Sequence, residues 1–155
     1  MLNSLSQYRV TGSLVLLLIG LFACGEPPAA PEQAVRAWIA GAEEEAESKD
    51  RAALKARIAT SYTDARGYER ADLDRLFRIM FLRQNAIALL VDIESITIHQ
   101  ETAADVVLKV AMAGSNNSML GFSADAYRFE LELQLEDDDW LLSGARWGEL
   151  GNELR

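Results

Sequence analysis

The chain has 155 residues, of which 50% are hydrophobic and 25% are charged, and its formal net charge is -9 at pH 7. This length suffices for one domain with its own core, and the composition excludes a disordered or wholly membrane-embedded protein. The negative charge, taken over the whole chain, disfavours binding to nucleic acid and to anionic lipid surfaces.

The first 23 residues have the layout of an export signal. Arg9 is the only charged residue among them, and it is followed by an apolar stretch centred on Leu14–Leu18. A basic start followed by an apolar segment is typical of secretory signals. The stretch is shorter than the about 20 apolar residues that a spanning helix needs. We therefore predict that residues 1–23 are a cleaved signal peptide.

Cys24 is the only cysteine, so the chain cannot form an intramolecular disulfide. It follows Leu21, Phe22 and Ala23 and precedes Gly25. This segment resembles the lipobox of bacterial lipoproteins, from which only the bulky Phe22 departs. In that family the cysteine thiol receives diacylglycerol, and a peptidase cleaves just before the cysteine. The resemblance implies that acyl chains such as palmitate on Cys24 anchor the protein to the lipid bilayer.

Residues 24–31 are predicted to be a lipidated tether. All three prolines of the chain lie between Pro27 and Pro31, which favours a stiff, extended spacer. In Gram-negative lipoproteins a glycine after the cysteine directs sorting to the outer membrane. The resemblance therefore implies a location in the cell envelope, at the periplasmic face of the outer membrane if the source is Gram-negative.

Three helices are predicted after the tether. In the first, apolar residues recur at three- and four-residue spacing, and Asp50 is placed to cap the second. The third runs from about Glu69 to Gln84 and has the clearest amphipathic stripe. The residues that carry these patterns are Val35, Trp38, Ile39, Ala42 and Ala46 in the first helix, Leu54 and Ile58 in the second, and Leu73, Leu76, Phe77, Met80 and Phe81 in the third.

From residue 86 onward the apolar period is two, which predicts four strands. The parity of the first strand changes between Ile93 and Ile96, so we predict a bulge near Glu94 and Ser95. The second strand contains Val106 to Met112, the third Tyr127 to Leu135, and the last Trp140 to Trp147. A polar loop from Gly114 to Gly121 and a turn at Asp137 to Asp139 are predicted between strands.

Helices followed by strands predict an α+β fold in which the N-terminal helices pack on a curved antiparallel sheet. A sheet curved over helices encloses a cone with an open mouth. This order, with the closing segment Trp140 to Trp147, resembles the nuclear transport factor 2-like superfamily, which has a cystatin-like cone and includes SnoaL-like and ketosteroid-isomerase-like proteins. We place this domain at residues 32–148 and a C-terminal tail at 149–155.

The resemblance implies that an enzyme of this kind would pair a carboxylate base with a tyrosine or histidine inside the cone. The candidates for catalysis are Tyr62, Asp64 and His99, the single histidine. Each also has a structural interpretation. Tyr62 would form hydrogen bonds at the rim, Asp64 would be a solvent-facing turn residue, and His99 would be a solvated strand end. We predict that Asp64 and His99 do not share the pocket.

A set of large apolar residues could line a pocket or belong to a plain core: Trp38, Phe77, Met80, Phe81, Met112, Phe129 and Trp147. One histidine and one cysteine predict no metal site. No glycine-rich phosphate loop or other nucleotide motif is found, so we expect no cofactor. We also predict a shared core of Leu73, Phe77, Met80, Leu89, Val91, Leu108, Phe129, Leu131 and Leu133.

Two functions remain open on this pattern. The favoured one is a non-catalytic, membrane-anchored module that binds a partner protein or a small apolar ligand in the cell envelope. The alternative is a SnoaL- or ketosteroid-isomerase-like enzyme that acts on a small hydrophobic substrate. Members of the superfamily often dimerise through the sheet, so the resemblance also allows a homodimer. In this chain, however, that face of the sheet is polar, with Arg128, Glu130, Glu132 and Gln134.

Overall fold

The computed structural model describes residues 30–115 and 122–154, with the backbone alone for residues 122–124. Three helices precede four strands in this part of the chain. They are α1 (Pro31–Glu47), α2 (Arg51–Ala56), α3 (Arg70–Arg83), β1 (Ala86–His99), β2 (Ala103–Ser115), β3 (Phe122–Glu136) and β4 (Asp139–Glu149). The predicted signal peptide, Cys24 and the tether up to residue 29 lie outside the described residues, as do residues 116–121 of the predicted loop.

Local chemistry sets the helix starts. Pro31 stands in the first turn of α1, where the missing backbone N–H costs nothing. Asp50 caps α2 as predicted, because its Oδ1 accepts a hydrogen bond from the backbone N–H of Ala53 at 3.0 Å. At α3, the backbone N–H of Glu69 donates to Oδ2 of Asp72 at 2.9 Å. These carboxylates also interact favourably with the positive N-terminal ends of the helix dipoles.

The four strands form one antiparallel sheet in the order β1-β2-β3-β4. A register shift between Ile93 and Ser95 places the bulge of β1 where the change of parity predicted it. A second shift, between Glu132 and Leu133, interrupts the pairing of β3 with β4. Bulges increase the bending of a sheet, so the strands curve over the helices. The α+β prediction is therefore confirmed.

The segment between α2 and α3 runs along β4. The backbone N–H groups of Ala59, Thr63 and Ala65 donate to the carbonyl oxygens of Leu142, Ser143 and Ala145 at 2.9, 3.3 and 3.2 Å. These bonds hold the segment against the edge strand of the sheet. The most deeply buried residues of the domain include three from this segment, Ile58, Ala59 and Tyr62, together with Val35, Val106 and Leu133.

Several predicted boundaries were wrong by a few residues. Gly114 and Ser115 belong to β2 and pair with β3, so they do not begin the loop. β4 extends beyond both predicted ends, because its backbone pairs with β3 from Asp139 to Glu149. Hydrogen bonds to a neighbouring strand extend these elements past the point where the apolar pattern stops.

The convex face of the sheet carries ion pairs that cross all four strands. Glu94 on β1 contacts Lys109 on β2 at 2.5 Å and Arg128 on β3 at 3.0 Å. Glu130 on β3 contacts Arg128 at 3.1 Å and Arg146 on β4 at 2.5 Å. Hydrogen bonds from Lys109 and Arg128 lower the pKa of Glu94 below its ordinary value. Exposed pairs of this kind add little stability, but they make this face polar.

Candidate functional site

A cavity of about 520 Å³ lies between the helices and the concave face of the sheet. Its wall includes side chains from all three described helices and all four described strands. Small-molecule sites commonly have volumes of about 300–1,000 Å³, so this cavity has the size of a ligand site. The backbone of α3 packs mainly against α2. The side chains of α3 therefore face those of the sheet across open space.

The wall is almost entirely apolar. All seven residues that we considered as pocket candidates lie on it: Trp38, Phe77, Met80, Phe81, Met112, Phe129 and Trp147. On the helix side, the rings of Phe77 and Phe81 stack at 6.3 Å between centroids. On the sheet side, the rings of Phe129 and Trp147 stack at 6.1 Å. Apolar ligand surface placed between these rings is removed from water.

The predicted nine-residue core is only partly a packed core. Leu73, Leu108 and Leu133 are buried, whereas Phe77 and Phe129 are only half-buried. Eight of the nine residues, all except Leu133, line the cavity. The amphipathic pattern correctly identified the inward faces of the elements. The pattern could not show that the elements lie too far apart for their inward side chains to fill the space between them.

The ionisable side chains on the cavity wall are Glu43, Arg57, Tyr62, Arg83 and Tyr127. The Arg57 guanidinium is bound at both ends by Glu45, with Nε 2.6 Å from Oε2 and Nη2 2.7 Å from Oε1. This bidentate pair neutralises the Arg57 charge. Arg83 is exposed, so it belongs to the rim of the cavity. Within the described residues, the inner wall therefore offers no free cation to an anionic ligand, and the half-buried Glu43 adds a carboxylate.

Tyr62 is the most deeply buried of the ionisable residues on the wall. It is only 2% exposed, so our prediction that it sits at the rim was wrong. Burial, followed by the nearby Asp64 carboxylate, raises its pKa well above the ordinary value for tyrosine. The phenol therefore keeps its proton over the whole physiological pH range. A buried, protonated phenol is suited to donating a hydrogen bond to a ligand.

Asp64 forms the turn that follows Tyr62. Its Oδ1 accepts hydrogen bonds from the backbone N–H groups of Arg66 and Tyr68, each at 2.8 Å. Gly67 completes the turn at φ +78°, a conformation that favours glycine. The expected turn role is therefore present. The expected solvent exposure is wrong, because Asp64 is only 8% exposed.

The second oxygen of Asp64 is unusual. Oδ2 is buried, and no hydrogen bond of normal geometry reaches it from any residue that the structure describes. Buried carboxylate oxygens normally have partners, because an unpaired one loses its hydration without compensation. Asp64 is not among the residues of the cavity wall. Its effect on the cavity acts through the pKa of Tyr62.

His99 lies apart from this group. It is exposed at the end of β1, with Nε2 2.8 Å from Oδ2 of Asp105, and it is not on the cavity wall. Of the three catalytic candidates, only Tyr62 therefore reaches the cavity. Within residues 30–115 and 122–154, no three His, Cys, Asp or Glu side chains gather in a way that could hold a metal ion.

Some wall residues escaped the sequence analysis. Tyr127 shares the parity of Phe129, which could have identified it as inward-facing. Arg57 and Glu45 come together from α1 and the end of α2, and no local spacing signals that pair. Arg66 covers the wall from outside, because its Nη2 donates to the carbonyl oxygen of Trp147 at 2.9 Å.

Solved structures provide the comparison that decides the fold. The chain resembles a nuclear transport factor 2-like protein with a cystatin-like fold from Novosphingobium aromaticivorans, with a TM-score of 0.62 and 15% identity over 79% of this chain and 84% of the other. The chain has the nuclear transport factor 2-like cone fold. A scan against protein-family models found no match, and neither did a search of curated proteins.

Two further proteins with this cone are similar to the chain. One is a ketosteroid isomerase-like protein from Erwinia carotovora atroseptica, with a TM-score of 0.60 and 14% identity over 83% of this chain and 99% of the other. The second, from Streptomyces avermitilis, is assigned as a dehydratase of the same family, with a TM-score of 0.68 and 11% identity over 81% of this chain and 100% of the other. At these identities the likeness establishes the fold alone.

Proposed function

We propose that the cone binds a small, uncharged and largely apolar molecule that carries one hydrogen-bond acceptor. The observation that carries this proposal is the protonated, 2% exposed Tyr62 phenol on the wall of a largely apolar cavity. Burial of ligand surface provides the driving force, at about 25 cal/mol for each Å² of apolar area. Enclosure on this scale supports a small molecule over a partner protein as the occupant.

Tyr62 would supply the specificity. A ligand with a carbonyl or ether oxygen near the phenol gains a hydrogen bond, whereas a purely apolar ligand gains none. A carboxylate ligand inside the cavity would lose its hydration without meeting a free cation there, since, among the described residues, Glu45 already holds Arg57 and the unpaired Arg83 lies at the exposed rim. The preferred ligand is therefore neutral.

Fluorenone and fluorene, which have nearly the same shape and differ by one carbonyl group, test this proposal. We expect fluorenone to bind the protein about three- to tenfold more tightly than fluorene, which is the contribution of one neutral hydrogen bond. Tyr62→Phe should abolish the difference. Tyr127→Phe removes a half-buried phenol from the same wall and serves as the matched control. Equal affinities of the unmodified protein for both compounds would contradict the proposal.

An isomerase- or dehydratase-like enzyme is the second candidate. Asp64 Oδ2 is buried without a partner near a phenol whose pKa it raises, and similar structures include proteins named after these activities. In such a reaction Tyr62 would donate to a carbonyl oxygen while Asp64 removes a proton from the adjacent carbon. Asp64 would first have to turn its side chain into the cavity.

Absorbance at the wavelength of a conjugated enone distinguishes the two candidates. A β,γ-unsaturated cyclic ketone is supplied, and its conversion into the conjugated isomer is followed. Turnover that is lost in Asp64→Asn, with ketone binding and the folded circular dichroism spectrum retained, supports the enzyme. Ketone binding without turnover in the unmodified protein supports the binding function alone.

We further propose that Cys24 anchors the domain in the cell envelope. The support is the segment Leu21 to Gly25, which lies outside the described residues, and the proline-rich tether after it. Within the described residues, no helix has the length and apolarity needed to cross a bilayer. Mass spectrometry of the membrane fraction should find a lipid-modified N-terminus at Cys24. An unmodified Cys24, or a mature N-terminus at another residue, would contradict this.

A further inference from the structure

The outward side of α3 exposes apolar and basic side chains together. Ile79 is 46% exposed and Leu82 is 77% exposed, which is unusual for large aliphatic residues in an amphipathic helix. Arg78 and Arg83 are also exposed, and each adjoins one of them in sequence. We call these four residues, Arg78, Ile79, Leu82 and Arg83, the α3 patch.

The patch is basic although the chain as a whole is acidic. Asp74 is already paired, with Arg51 at 3.3 Å and Lys55 at 3.1 Å, and Asp72 is paired with Arg75. Among the residues that the structure describes, no carboxylate forms an ion pair with Arg78 or Arg83. Two uncompensated cations beside exposed aliphatic side chains therefore stand out on a chain of net charge -9.

The α3 patch is continuous with the rim of the cavity. Ile79 and Arg83 are exposed and also belong to the cavity wall. Leu82 lies next to Arg83 in sequence and points away from the wall. A surface that contacts the patch would therefore also lie at the entrance to the cavity.

We propose that the α3 patch docks on an anionic phospholipid bilayer. Leu82 and Ile79 would enter the interfacial layer, and Arg78 and Arg83 would meet the headgroup phosphates. This combination of exposed aliphatic and basic residues is what interfacial helices use. The acidic remainder of the chain would be repelled, so charge would turn this side of the domain toward the membrane.

The size of the patch favours a bilayer over a second copy of the chain. Stable protein interfaces bury about 1,200–2,000 Å² in total, which two aliphatic side chains flanked by like charges cannot supply. A bilayer accepts a few shallow insertions, and each nearby cation adds to binding. The inference goes beyond ligand binding, because it presents the cavity entrance to an apolar phase that can supply or receive the ligand.

Photo-crosslinking in the full chain tests the docking. A benzophenone amino acid replaces Leu82 on the patch or, as matched control, Leu90 on β1, which is 70% exposed and off the cavity wall. The protein is reconstituted with vesicles of phosphatidylcholine, with or without phosphatidylglycerol. We expect phospholipid adducts at position 82 and not at position 90, with a higher yield on the anionic vesicles. Equal yields at the two positions, or no effect of phosphatidylglycerol, would overturn the proposal.

The contribution of charge is measured with Arg78→Gln. Loss of one cation near an anionic surface should lower the yield of adduct at position 82 by up to about fivefold. Arg146→Gln on β4, which removes a 62% exposed cation from the convex face, should leave it unchanged. The same crosslinking in native membranes must yield phospholipid adducts, and protein adducts alone would overturn the proposal. Tyr62→Phe should leave the yield unchanged, so a failure of ligand binding and a failure of docking can be told apart.

Discussion

The guanidinium carbon of Arg66 lies 3.7 Å from the centroid of the Trp147 ring. Trp147 belongs to the cavity wall, and the backbone N–H of Arg66 donates to Asp64. One exposed side chain thus covers the wall from outside, while its backbone closes the turn that buries Asp64. Arg66 therefore connects the turn after Tyr62 to the wall of the cone.

Arg66→Ala tests this contact. An exposed cation–π contact contributes about 0.5–1 kcal/mol, so the substitution should lower the free energy of unfolding by about that amount. Urea unfolding measures the change. Arg36→Ala is the matched control, because among the described residues Arg36 forms an ion pair with Glu32 alone, on the surface of α1. A loss no larger than that of Arg36→Ala would show that the contact adds no stability.

Leu133→Ala and Leu89→Ala make the same chemical change in the packed core and on the cavity wall. Leu133 is 1% exposed in tight packing, so its truncation should cost about 2–5 kcal/mol. Leu89 faces the hollow and loses fewer contacts, so its truncation should cost clearly less. For the same reason, Phe77→Ala should fall below the about 3–5 kcal/mol expected for a fully packed phenylalanine. Equal losses at the two leucines would mean that the cavity is filled in solution.

Val110→Phe should block ligand binding without unfolding the protein. Val110 points into the cavity, so the added ring occupies ligand space instead of straining a filled core. Enlarging a residue in a packed core costs about 1–3 kcal/mol, and we expect less here. Val107→Phe, on the opposite face of β2, should leave fluorenone affinity unchanged. Unchanged affinity in Val110→Phe would place the ligand elsewhere.

Tyr62 should make stability fall at high pH. Its pKa in the folded protein is raised above the unfolded value of about 10. Below that value the phenol is protonated in both states and stability is unaffected. Above it the unfolded chain gains by losing the proton, so stability falls as pH rises toward the folded pKa. Urea unfolding across this range should show a smaller fall for Tyr62→Phe than for the unmodified protein. Parallel curves for the two proteins would contradict the buried position of Tyr62.

Much of the fold could be predicted from local patterns. The change of parity between Ile93 and Ile96 placed the bulge, and Asp50 marked the start of α2. Both signals arise within a few residues, because strand period and helix capping are properties of adjacent backbone. The alternation of Phe129 and Leu131 likewise identified the concave face of β3.

The site depended on contacts that no local pattern encodes. The sequence predicted a hydroxyl at the rim for Tyr62 and a solvent-facing turn for Asp64, yet both residues are buried where backbone hydrogen bonds from Thr63 and Ala65 hold the segment against β4. Those partners lie about 80 positions later in the chain, and only folding brings them together.

The sequence by itself determined the order of elements, their inward faces and the lipobox-like segment at Cys24, because each of these features depends on residues that are close together in the chain. Only the tertiary structure decided that α3 and the sheet stand apart around a hollow of about 520 Å³, with the buried, protonated phenol of Tyr62 in its wall. The physical reason is that a hollow depends on the distance between packed elements, and that distance is set by all of their contacts together.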